Sequence, residues 1–176
     1  MTRHLSAFIL LSLALVAGPQ AAAVNPVATA NPGLDFELAD THRFIRLSEL
    51  PAQTTVINFW RADCPPCLRE MPLLADLAKA GKVRVVTVAV QRPAETAAAP
   101  QRILDALKKP VVSLHAPTEP RGLLARFGNS KGALPHTVVL NAERQPCGQL
   151  TGEITPEWLS KTLAQCPLPN QSSHLQ

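Results

Sequence analysis

The Cys64-Pro65-Pro66-Cys67 step constrains this chain more than any other feature in it. Before it runs Thr54-Thr55-Val56-Ile57-Asn58-Phe59-Trp60, a β-branched and aromatic stretch that reads as a buried central strand. After it, Leu68, Met71, Leu74, Leu77 and Ala78 share one helical face. That spacing predicts a helix over 64–80, ended by Gly81 and kinked at Pro72. The cysteines therefore stand where a strand hands over to a helix N-terminus. Unsatisfied N–H groups and a partial positive charge gather at such an end. They stabilise a thiolate and lower its pKa. Cys64, near the N-cap, is expected to be the exposed nucleophile. Cys67, one turn on and on the same face, is within disulfide reach and is expected to be the resolving thiol. Pro65 suits the first helical position, and both prolines stiffen the loop. A zinc site would want a second CxxC or a CxxH at finger spacing, and none follows. A purely structural disulfide across so tight a loop would constrain little of the chain. The pattern points to thiol–disulfide exchange.

The flanking segments predict the frame around this site. Leu34, Phe36 and Leu38 alternate with polar neighbours as a strand does, residues 40–42 form a turn, and 44–47 form a second short strand. Ser48 is placed to cap a single turn at Glu49-Leu50. Residues 83–90 are nearly continuous valine, a buried strand. Residues 93–109 read as one helix stopped by Pro110, 111–114 as a strand, and 117–127 as a further helix closed by Gly128-Asn129. Pro135 leads into a strand over 136–140, a hairpin turn over 141–144 and a return strand over 145–150. Thr155 as N-cap and Pro156 at the first helical position open a last helix ending near Gln165. Strands alternating with helices, then a hairpin, imply an α/β sandwich with a mixed sheet.

The chain begins with a short basic stretch, Met1 to His4, then the apolar run Leu5 to Ala17, then Gly18-Pro19 and small residues to Ala23. That order is a secretory signal peptide, with cleavage expected after Ala23; the alternative is an uncleaved membrane anchor. The predicted organisation is a signal peptide over 1–23, a flexible leader over 24–33, one domain over 34–166 and a loose tail over 167–176. The expected location is periplasmic or otherwise extracytoplasmic. The formal charge of +4 falls to about +3 without Arg3, and the basic residues are scattered with no interleaved aromatics, so nucleic acid is not an expected partner. Export puts the four cysteines where disulfides persist, and four allow three pairings. Cys147 lies on the return strand and Cys166 at the end of the helix that runs back along it. We expect a structural disulfide between them, closing a loop of about 20 residues and contributing about 3 kcal/mol, against the alternative of two separate thiols.

Residues 58–72, Asn-Phe-Trp-Arg-Ala-Asp-Cys-Pro-Pro-Cys-Leu-Arg-Glu-Met-Pro, resemble the active-site segment of the TlpA- and ResA-type exported thiol–disulfide oxidoreductases. The resemblance extends over about 34–165. It implies a thioredoxin fold: a three-layer α/β/α sandwich with a mixed central sheet and an added N-terminal β-hairpin. Cys64 matches the attacking thiol, Cys67 the resolving thiol, and Pro135 the cis-proline beside them. Glu70 matches an acidic position of ResA-like members, where a carboxylate would raise the thiol pKa and relay protons; its other reading is a helix-dipole glutamate. Asn58 stands where thioredoxin has a buried acid, which implies that this acid is missing. Trp60, Asp63, Pro65, Pro66 and Leu134 are the expected substrate-facing rim. Two positions depart from the pattern: Asp63 replaces a usual tryptophan and should oppose thiolate formation, and Arg61 replaces a small residue and could offset Asp63. The implied partners are protein disulfides and an upstream thiol reductant, commonly a membrane protein in this family, with reductive work such as keeping cytochrome c haem-binding or copper-site cysteines reduced. No cofactor or resident metal is expected. Two rivals remain. A peroxidase of the same fold would want Thr three residues before its cysteine, where Arg61 stands. A copper(I) metallochaperone would use Cys64 and Cys67, with His136 as third ligand if it faces them.

Overall fold

The computed structural model of the protein describes residues 33–166. The expected signal peptide over 1–23, the expected leader up to residue 32 and the tail from residue 167 lie outside the described residues. A seven-stranded mixed sheet organises the domain. Its strands are β1 (Glu37–Ala39), β2 (Phe44–Arg46), β3 (Thr55–Trp60), β4 (Arg84–Ala89), β5 (Val112–His115), β6 (His136–Leu140) and β7 (Pro146–Thr151), in the spatial order β2-β1-β5-β4-β3-β6-β7. Strands β3, β4 and β5 are mutually parallel; β6 and β7 extend the sheet antiparallel on one side, and the β1–β2 hairpin on the other.

The two faces of the sheet follow from alternation along β3 and β4. Val56, Trp60, Val85 and Ala89 point to one face, where they pack with Met71, Leu74, Ile103 and Leu159. These last come from helices α1 (Pro65–Lys79), α3 (Gln101–Ala106) and α5 (Pro156–Gln165). Ile57, Phe59, Val86 and Val88 point to the other, where Leu123, Leu124 and Phe127 from and beside α4 (Arg121–Arg126) cover them together with Phe36 and Leu47. All six residues of β3 are buried, as expected of a central strand covered on both faces. The architecture is the α/β/α sandwich expected, with the N-terminal hairpin at its edge.

Four segments differ from the sequence expectation, each for a local reason. The stretch 93–109 is two short helices, α2 (Pro93–Ala97) and α3, because Pro100 has no N–H to continue the ladder and is extended at ψ 141°. Helix α4 begins at Arg121 rather than 117, after Pro117 and Pro120. Leu34 and Phe36 do not pair as a strand. Instead the Asp35 carboxylate accepts the N–H groups of Phe36 and Ser48, and the Phe36 carbonyl accepts that of Leu47. Ser48 is correspondingly no cap: the single turn at Leu47–Glu49 is a 3₁₀ turn with no side-chain cap bond. Helix α1 runs without a break through Pro72, which faces solvent. Gly81, at φ +72°, ends that run in the left-handed region.

Candidate active site

Strand β3 delivers the chain to the site. From Trp60, itself buried, Arg61–Asp63 form a short loop and Cys64 becomes the N-cap of α1. Cys64 Sγ accepts the N–H of Cys67 at 3.3 Å, so the sulfur takes the place an N-cap oxygen normally occupies. Pro65 and Pro66 fill the first two helical positions, where N–H groups are not needed. Cys64 and Cys67 are joined in a disulfide with Cα atoms 5.2 Å apart. Their exposures differ: Cys64 is half-buried and Cys67 wholly buried. One sulfur is open to attack and the other is held back, which is the division of labour a nucleophile and a resolving thiol need.

Pro135 precedes β6, and β6 pairs with β3 up to Phe59↔His136. That register sets the proline beside the end of β3, next to the turn into Cys64. The Leu134–Pro135 peptide is cis. Pro135 is buried, and half-buried Leu134 packs on the same cluster as Cys64 and Cys67. Asp63 and Pro65 are exposed and Pro66 is half-buried. Asp63 lies in a two-pronged ion pair with Arg61, at 2.8 and 2.9 Å. This hydrogen-bonded guanidinium holds the Asp63 carboxyl below the usual range. Much of the repulsion that Asp63 alone would direct at Cys64 is thus neutralised.

Glu70 is the sixth residue of α1, one turn beyond Cys67, and is 2 % exposed. It is therefore no first-turn dipole residue. Asn58 Nδ2 donates to its Oε1 at 2.6 Å and Ile154 N–H donates to its Oε2 at 2.9 Å. Asn58 Nδ2 also reaches Thr137 Oγ1, while Asn58 Oδ1 is buried without a partner. Burial pushes the Glu70 carboxyl up to about 7; the Ile154 and Asn58 bonds oppose this, and the nearby Glu153 charge adds to it. The buried acid that Asn58 implied was missing is present, supplied from the helix instead of the strand.

His136 does not join this group. Its side chain points to the opposite face of the sheet, beside Phe59. Its ring is spent on Thr151 Oγ1 and the Phe127 carbonyl, each at 2.8 Å. Because Phe127 O can only accept, Nε2 carries the proton; burial lowers the pKa and keeps the ring neutral. The copper(I) set of Cys64, Cys67 and His136 is not assembled, and no group of three or more metal-ligating side chains occurs among the described residues.

Cys147 and Cys166 form a second disulfide, with Cα atoms 5.1 Å apart, tying β7 to the end of α5. Alkylation of the air-oxidised protein under denaturing conditions, without reductant, is expected to label none of the four cysteines. Labelling of both Cys147 and Cys166 would show that they are not paired.

Sequence reasoning missed the roles of Thr137, Glu153 and Ile154, and the second cis bond at Lys109–Pro110. A backbone N–H that meets a carboxylate 84 residues away leaves no pattern in sequence. Among the described residues no helix is long and apolar enough to cross a membrane.

Known proteins share this frame. The chain is 29 % identical over 134 residues to the thiol-disulfide oxidoreductase ResA of Halalkalibacterium halodurans, covering 73 % of this chain and 71 % of that one. The exposed lipoprotein thioredoxin Etrx1 of Streptococcus pneumoniae superposes with a TM-score of 0.58 at 24 % identity, over 75 % of this chain and 99 % of that one. StoA of Bacillus subtilis superposes with a TM-score of 0.54 at 20 % identity, over 76 % and 98 %. The AhpC/TSA family profile matches residues 29–145. With a thioredoxin fold, a cysteine pair at a helix N-terminus and a cis-proline beside it, the chain belongs to the AhpC/TSA family and is similar to ResA.

Proposed function

We propose that this thiol–disulfide oxidoreductase is exported and works as a reductase of protein disulfides. One observation carries the reading: a half-exposed Cys64 caps the helix whose first turn buries Cys67. In the reduced protein, Cys64 thiolate attacks one sulfur of a substrate disulfide. A mixed disulfide forms, and the first substrate thiolate leaves and takes a proton. Cys67 thiolate then attacks Cys64 Sγ and expels the second substrate thiol. The substrate gains two electrons and two protons, and the Cys64–Cys67 disulfide remains. An upstream protein dithiol restores the cysteines. Glu70, buried one turn below Cys67, is the group suited to hold or release the proton as Cys67 becomes a nucleophile.

In this reading Leu134 and Pro135 present backbone to the substrate, while Asp63, Pro65 and Pro66 form the exposed rim and Trp60 supports it from beneath. The signal-like first 23 residues support an extracytoplasmic location, as does the likeness to a protein described as an exposed lipoprotein. The substrate class is exported protein disulfides, such as haem-binding or copper-site cysteine pairs. The test is the equilibrium reduction potential of the Cys64–Cys67 pair. A value near −270 mV supports the reductase; one near −120 mV marks an oxidant and overturns the direction.

The rim makes a further prediction. Asp63→Asn removes a negative charge and frees Arg61, and both changes favour the thiolate. The alkylation midpoint of Cys64 in the reduced protein should fall, by less than about one pH unit given the exposure of the pair. A rise, read from iodoacetamide rates across pH, would mean that Asp63 acts otherwise than by charge.

A further inference from the structure

The connection between β7 and α5 touches three parts of the site within three consecutive residues. Gly152 N–H donates to the Pro135 carbonyl at 2.8 Å. Glu153 takes a two-pronged ion pair from Arg69 of α1, with its shortest contact at 2.6 Å. Ile154 N–H donates to Glu70 Oε2. Gly152 has φ +124°, and a Cβ there would meet nothing within 4 Å, so backbone conformation alone selects glycine at this turn. The segment thereby binds the proline loop at one end and the cysteine-bearing helix at the other. Arg69 stands between Leu68 and Glu70, so its ion pair draws the same turn of α1 against this segment.

We propose that Glu153 is a positioning residue: through Arg69 it holds Gly152–Ile154 as a bracket that keeps the cis-proline loop and the Glu70 carboxyl registered on the Cys64–Cys67 helix. The importance of that register for thiol exchange rests on the function proposed above; the bracket itself rests on the three contacts. The charged groups around Glu70 are Arg69 on its own helix and Glu153 on the bracket; Cys67, joined to Cys64, carries no titrating thiol in the oxidised protein. Asn58 from β3 and the Ile154 N–H are its neutral partners. An ion pair this exposed contributes little to overall stability, so its loss should register locally.

Two substitutions of opposite charge separate a bracket from plain electrostatics. Glu153→Ala removes a negative charge and Arg69→Ala a positive one. If only charge matters, the Glu70 titration midpoint falls in the first and rises in the second. If the bracket matters, both loosen the Ile154 N–H, which opposes the burial effect, and the midpoint rises in both. The experiment follows the Glu70 carboxyl ¹³C shift against pH in the oxidised protein, with amide exchange at Ile154. The expected result is a rise of about half a unit in both variants and Ile154 exchange faster by about tenfold or more. A midpoint that falls or stays put in either variant, or Ile154 exchange unchanged in either, overturns the proposal. Wild-type protein that fails to reduce insulin disulfides would overturn the functional reading instead and leave this titration intact.

Discussion

Cys64→Ser is expected to abolish catalysed reduction of insulin disulfides, a loss of about three orders of magnitude or more, the scale seen when an enzyme loses its nucleophile. The physical reason is specific to this position. Only Cys64 is both open to solvent and placed where the α1 N-terminus stabilises an anion. Cys67 cannot take over, because it is fully buried behind Cys64. Cys67→Ser should fail differently: Cys64 still attacks, but nothing resolves the product, and a mixed disulfide accumulates. Insulin reduction driven by dithiothreitol, with mass spectrometry of the trapped species, reads both. Substantial residual turnover in Cys64→Ser, or a trapped adduct on Cys67 in that variant, would reverse the assigned roles.

Glu70 should make the oxidised protein lose stability as pH rises from about 4.5 to about 7. The sign follows from proton binding. The folded carboxyl titrates near 7 and the unfolded one near 4.5, so between these values the folded state holds more protons than the unfolded state. Unfolding free energy then falls with increasing pH and levels off above the folded pKa. The expected penalty at pH 8 is on the order of 3 kcal/mol relative to pH 4. Glu70→Gln cannot ionise and keeps an acceptor for the Ile154 N–H, so its stability should lack this step. Half-buried His115 and buried His136 have lowered pKa values and weigh in the opposite direction, destabilising as pH falls. The quantity to measure is therefore the difference between wild type and Glu70→Gln, by urea unfolding at several pH values. A difference that is flat across this window would mean that Glu70 is ionised throughout and is held by its hydrogen bonds.

The elements best read from sequence were those whose pattern is set by local sterics and burial. The strand into Trp60, the helix from Cys64, and the Thr155 cap with its 3.2 Å bond to Trp158 N–H all lie within about two residues of expectation. Two of the failures share a cause in proline. Pro100 splits a periodic run, and Pro117 with Pro120 delays α4, because a missing N–H overrules apolar spacing. His136 shows a different limit. Alternation said that it faces one side of the sheet, but only the pairing of β6 with β3 decides which.

The sequence by itself determined the chemistry of the centre: a dithiol at a helix start after a buried strand, with a proline opening a later strand. It did so because N-cap, strand and proline preferences act over a few residues. The tertiary structure alone decided what surrounds that dithiol. Asn58, Glu70, Thr137 and Ile154 are brought together from β3, α1, β6 and the β7–α5 connection. Their meeting depends on sheet order and on which face each helix covers. Glu70 owes its raised pKa to that enclosure, since burial is set by distant parts of the chain and not by the residues beside it.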